Sequence, residues 1–137
     1  MSRMAKAEMN DPRLDELQTR VESFTTENTG IKGQIVISYP SGVPIASSWK
    51  EEVDPILIGA ISASVNLTFQ NLCRQLEQGN LKRVFVNSED GKVLIQSAGK
   101  NAILNTIVSD DADIYPVAFI VRDFAKIVEK IIGDYVY

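Results

Sequence analysis

Apolar residues recur at helical spacing in three separate parts of the chain, with short continuous apolar runs between them. The longest helical stretch, Asp54 to Gln78, is apolar on two opposite sides. At 100° per residue, Ile58, Ile61, Val65, Phe69, Leu72 and Leu76 fall in an arc of about 80°, the kind of stripe that packs on a core. Nearly opposite lie Ile56, Leu57, Ala60, Ala63, Ser64 and Leu67, with Arg74 the only charge in that half. A monomer's surface helix would be charged there, so the second face is expected to meet protein; the competing reading is burial between two layers of one subunit. A narrow strip of Gly59, Ser62, Asn66, Gln70, Cys73 and Glu77 reads as the wettable side. Asp54-Pro55 supplies an N-cap carboxylate and a first-turn proline, and Gly79-Asn80 offers left-handed conformations at the other end.

Two further helices are predicted. One starts at Asp11-Pro12 and carries Leu14, Leu17, Val21 and Phe24 as a stripe, with Asp15, Glu16, Arg20 and Glu22 towards water. The last segment places Val117, Ile120, Val121, Phe124, Ile127, Val128, Ile131 and Ile132 on one broad face, and Phe119 points away from it. Between the helices lie the candidate strands Gln34–Tyr39 and Val43–Trp49, joined through Tyr39-Pro40-Ser41-Gly42, a sequence that suits a type I turn. Three more, Lys82–Asn87, Lys92–Ser97 and Ala102–Val108, form a meander with hairpin-like connections. Runs such as Ile35-Val36-Ile37 and Val93-Leu94-Ile95 hardly alternate, which calls for cover on both faces of the sheet. The predicted architecture is an α/β sandwich (α+β): a central five-stranded antiparallel sheet with helices on both faces, in the order α-β-β-α-β-β-β-α. Residues 1–10 lack periodicity and are expected to be a flexible tail; residues 11–137 form a single domain, as a chain of 137 residues allows.

The net charge of −4 argues against nucleic acid as partner, since phosphate binding needs a basic face. The absence of histidine removes the commonest general base and metal ligand, and a single cysteine, Cys73, removes any disulfide or multi-cysteine site. Gly99-Lys100-Asn101 lacks the rest of a phosphate loop and reads as a hairpin tip, while Asp110, Asp111 and Asp113 read as a solvated acidic linker without the ligand pattern of a calcium loop. Pro44 and Trp49 read as packing residues. No catalytic residue, metal or cofactor is therefore expected, and the chain is read as a non-enzyme. No secretory leader pattern and no uninterrupted apolar run near 18 residues is present, so a cytoplasmic location without a membrane span is expected.

The order of elements resembles the Roadblock family, the small domain of dynein roadblock-type light chains and of bacterial and archaeal regulators of Ras-like GTPases, which has a profilin-like fold. The resemblance is carried by Gly33–Ser38 and Pro40–Ser47 in the first hairpin, the long helix Leu57–Leu76, and Val84–Asn87, Gly91–Ile95 and Ala102–Leu104. It spans about Asp11 to Gly133 and is looser at Asp111-Ala-Asp113-Ile, where many relatives have an Asn-Leu-Gly type segment. The resemblance implies a homodimer in which the long helices of two subunits pack together and the third strands pair. Carried onto this chain, the dimer face is Leu57, Ala60, Ser64, Leu67 and Asn71, with Arg83 and Phe85 on the pairing strand. It further implies a non-catalytic adaptor or regulator that binds a small Ras-like GTPase or a motor or scaffold component, with Arg74, Gln75 and Gln78 as candidate partner contacts. Arg74 and Arg83 are also the candidates for an arginine finger, against a simple solvated role. The alternative is a small-molecule sensor domain of similar layout, which would need a pocket lined by polar groups.

Overall fold

A computed structural model describes residues 11–137, with three helices and five strands in the order α-β-β-α-β-β-β-α. The tail expected at 1–10 lies outside the described residues. Helix α1 (Pro12–Glu27) begins where extended Asp11 accepts the Arg13 N–H at 2.9 Å, which satisfies one of the otherwise orphan first-turn donors. Strands β1 (Ile31–Ser38) and β2 (Pro44–Trp49) follow. The connection between them has a cis Tyr39–Pro40 peptide and Gly42 at φ +81°, in place of the expected type I turn. Helix α2 (Pro55–Gln75) is capped by Asp54, whose Oδ1 accepts from the N–H groups of Ile56 at 3.0 Å and Leu57 at 3.5 Å. It ends at Gln75, ahead of Gln78, because Glu77 already takes a left-handed φ of +55°. Strands β3 (Arg83–Ser88), β4 (Gly91–Ser97) and β5 (Ala102–Ser109) form the meander, and helix α3 (Ile114–Ile132) is capped by Asp113.

All strand pairs are antiparallel, in the order β2-β1-β5-β4-β3. The first hairpin and the meander therefore join through β1 and β5, and β2 and β3 form the two edges. Helices α1 and α3 share one face. Their core contains Leu17, Val21, Val36, Leu94, Leu104, Val108, Val121, Phe124, Val128 and Ile132, and the rings of Phe24 and Phe124 stack at 4.5 Å. The other face holds a smaller cluster, Ile35, Ile37, Ile95 and Ile103, with Ile58, Val65, Val84 and Val93 packed around it under α2. Trp49 lies over Gly33, where a Cβ would run into its ring, so both Trp49 and Gly33 are packing residues.

Beyond α3 the chain returns to the start of α1. The Tyr137 hydroxyl donates to Asp11 Oδ2 at 3.3 Å, and the Arg13 guanidinium sits 4.0 Å from the centre of the Tyr135 ring. Hydrogen bonds from Arg13 hold the Asp11 carboxyl below its usual range. Burial, then the neighbouring Asp11 charge, pushes the Tyr137 phenol up to about 12.

Candidate protein interaction surface

Helix α2 sits on the sheet by the strip expected to be wettable. Its buried residues are Gly59, Ser62, Ala63 and Asn66. Of the stripe expected to pack on the core, only Ile58 and Val65 are half-buried against the sheet, whereas Ile61, Phe69, Leu72 and Leu76 are exposed. The cause is close approach. A Cβ on Gly59 would run into the Gly42 carbonyl, and Asn105 on β5 donates to Ser62 Oγ at 2.8 Å in a buried hydrogen bond. Small residues bring the helix backbone down onto the sheet, and a satisfied polar contact removes the cost of burying Ser62. Both larger apolar arcs are thereby turned outward or sideways.

The outward face collects the residues singled out for self-association. Leu57, Ile61, Leu67, Leu72 and Leu76 are 48–59% exposed, and Ala60, Ser64 and Asn71 lie among them on the same side. These side chains leave an exposed apolar surface along the outward half of α2. By length and composition α2 could also cross a membrane. It contains no uninterrupted apolar run of that length, because Ser62, Asn66 and Gln70 punctuate the helix without adding charge. These polar residues form its docked strip and flank, so the fold uses α2 as a sheet-covering helix.

Strand β3 follows α2 through a loop whose Leu81 N–H donates to Gln70 Oε1 on the flank of the helix. It is an outer strand bonded to β4, and most of it is exposed. Arg83 and Phe85 project from the sheet face opposite α2. Arg83 Nε donates to Gln96 Oε1 at 2.8 Å, and Phe85, in register with Leu94, lies near Tyr115 and Ala118 of α3. The β3 side chains on the α2 side are Val84 and Val86. Arg83 and Phe85 therefore offer their backbone to the open edge, while their side chains lie on the sheet face away from α2.

The two sheet edges differ. At β2, the Gln18 side-chain amide of α1 accepts from the Ser47 N–H at 3.0 Å and donates to the Ser47 carbonyl at 2.8 Å, imitating a neighbouring strand. Among the described residues no such cover meets β3. An exposed edge is a template for pairing with another chain.

Arg74 and Gln75 occupy the last turn of α2 and Gln78 the loop beyond it, all exposed. Arg74 Nη1 donates to Asn71 Oδ1 at 3.2 Å, and Gln78 Nε2 donates to the Leu76 carbonyl at 3.0 Å. The acidic segment after β5 has local duties: Asp113 caps α3, and Asp111 accepts from the Ser109 hydroxyl, which holds its carboxyl low. Cys73 is half-buried. The periodicity missed Ile61, Phe69, Leu72 and Leu76 as surface. The signal available was the Gly59, Ser62, Ala63, Asn66 row, whose small size permits close packing.

A five-stranded antiparallel sheet covered by two helices on one face and one on the other, in the order α-β-β-α-β-β-β-α, defines a domain of the profilin-like fold class. Profilin IA of Acanthamoeba castellanii has this fold: it is 15% identical, with 81% of this chain and 94% of that chain covered, at a TM-score of 0.58. MglB of Myxococcus xanthus superposes over 85% of this chain and 94% of its own, at 14% identity and a TM-score of 0.77. Two uncharacterised proteins of Methanocaldococcus jannaschii, MJ0310 and MJ1340, are each 29% identical over 85 residues, which is 62% of this chain and 74% of the relative. Residues 17–109 match the Roadblock/LC7 domain, and the chain belongs to the Roadblock/LC7 family.

Proposed function

We propose that this chain acts as a homodimeric, non-catalytic regulator or adaptor whose partner is a small Ras-like GTPase. The observation that carries the reading is that one subunit presents both an outward apolar face on α2 and an uncovered β3 edge, while the β2 edge is capped by Gln18. A second copy supplies the matching surface for both elements: another α2 against Leu57, Ala60, Ser64, Leu67 and Asn71, and another β3 along Arg83–Ser88. Ala60 and Ser64 let the two helices approach closely, and strand pairing satisfies the open edge. Such a two-fold contact is self-complementary, the usual arrangement of a dimer.

Membership in the Roadblock/LC7 family supports a regulatory or adaptor role. The GTPase is the partner class that the family resemblance implies. A regulator of this kind acts by binding one nucleotide state of its partner better than the other, which needs no catalytic group of its own. Arg74, Gln75 and Gln78, at the open end of α2, are the contacts assigned to that partner.

The test has two parts. Light scattering at tens of micromolar should give twice the chain mass, and Leu67→Asp should give a folded monomer; a wild-type monomer would overturn the dimer. Capture of small GTPases from the same organism, loaded with GTP or GDP, should favour one state. Failure of the dimeric protein to bind any of them in either state would overturn the partner assignment.

A further inference from the structure

A cavity of about 400 Å³ opens between the C-terminal half of α2, the loop leading to β3 and the β4–β5 hairpin. Asn66, Gln70 and Arg74 form an i, i+4, i+8 row on the flank of α2, between its docked strip and its outward face. Lys100 stands at the hairpin tip, Tyr39, Leu81 and Ile103 supply apolar wall, and Asn80 and Ser97 add polar groups. The volume falls within the range of small-molecule sites, and the lining is more polar than is usual for them, which suits a polar, charged ligand.

Three features point to a ligand. Asn66 is 3% exposed, lines the cavity, and its side-chain oxygen has no hydrogen-bond partner, a condition that buried amides rarely tolerate. Arg74 and Lys100 are exposed at the rim, and among the described residues no carboxylate pairs with either. The acidic groups nearest the site lie outside its lining: Glu77 borders the adjoining hollow beside Arg74, and Glu129 packs against Gly99 from α3. The walls are also held in place without a ligand. The Leu81 N–H donates to Gln70 Oε1 at 3.0 Å, and the Ser97 hydroxyl donates to the Leu81 carbonyl at 3.1 Å. The loop is thereby pinned to both α2 and β4, and the Gln70 NH₂ is left for another acceptor. A preformed site loses less on binding than one that must be ordered.

We infer that this cavity binds a small phosphorylated compound carrying a planar hydrogen-bonding ring, of the size of a nucleoside monophosphate. Two unpaired cations at the rim match a phosphomonoester, which carries about −1.5 to −2 charge at neutral pH, and the arginine fork suits its oxygens. Tyr39 and Ile103 give the ring apolar wall, and the Gln70 NH₂ gives it a polar partner. Arg74 also donates to Asn71 of the proposed dimer face, so the cavity borders that face.

The experiment is calorimetric titration of the full chain with AMP and CMP, with adenosine and inorganic phosphate as the two halves. A monophosphate should bind saturably, one per chain, at least tenfold more tightly than either half. Lys100→Glu and Arg74→Glu alter exposed side chains, so each should weaken binding at least tenfold while leaving the melting temperature unchanged. Asn66→Ala should weaken the monophosphate more than inorganic phosphate. If that variant fails to fold, the two charge reversals decide the matter. Absence of saturable binding by both monophosphates, equal affinity for inorganic phosphate, or binding that survives both charge reversals would overturn the inference.

Discussion

The two faces of the sheet are built by different means. Under α1 and α3, large aliphatic and aromatic side chains interlock, and Leu17, Val21, Leu104, Val121 and Val128 are sealed from water. Under α2, the helix is seated by Gly59, Ser62, Ala63 and Asn66, with Ile58 and Val65 half-buried beside them, and most of the other large apolar residues of the helix stay outside. The first face spends its hydrophobic residues on the fold. The second uses close approach and one buried hydrogen bond, and leaves most of its large hydrophobic residues exposed. A helix can therefore be integral to a domain and still keep most of its apolar surface outside the core.

The sharpest break in this contrast is expected at the α1/α3 face. Leu104→Ala removes a side chain with no exposure and should cost about 2–5 kcal/mol in denaturant unfolding, through lost transfer energy plus a cavity. Next comes Gly59→Ala, which drives a methyl into the Gly42 carbonyl and should lift α2, costing about 1–3 kcal/mol as overpacking does. Because it moves the outward face, it should also weaken self-association measured by light scattering.

Leu67→Asp sharpens the contrast from the other side. Within a single subunit it is a surface change worth no more than about 0.5 kcal/mol, yet it should abolish the dimer by placing charges in an apolar contact. Loss of subunit stability comparable to that of Leu104→Ala would mean that α2 is core and not interface. Val65→Asp is the companion: Val65 packs against the isoleucine cluster, so its replacement should destabilise the subunit itself.

The smallest effect concerns Tyr137. The folded state holds its phenol neutral up to about pH 12, against 10 for the ordinary group. The folded state thus retains a proton that the unfolded state loses. The associated stability is fully present below pH 10 and disappears as pH rises from 10 towards 12. Denaturant midpoints should fall over that window in the wild type and fall less in Tyr137→Phe.

Periodicity and caps made most of the fold legible. The Asp11-Pro12 and Asp54-Pro55 starts, the Leu14, Leu17, Val21, Phe24 stripe, the broad α3 face and the five strands all lie where local pattern places them, because each depends on residues a few positions apart. The surplus of apolar residues on α2 was equally visible, as was the family likeness. Which side of α2 meets the sheet was not. Hydrophobic spacing assigns apolar arcs, but the docked strip was decided by contacts distant in sequence: Gly42 against Gly59, and Asn105 with Ser62, 43 positions apart. The same holds for Gln18 capping Ser47 and for Asn66, Arg74 and Lys100 around one cavity. The sequence by itself determined the elements and the excess of apolar surface on one helix. Only the tertiary structure decided where that excess points, because close backbone approach and hydrogen-bond satisfaction are set between elements and leave no period in the chain.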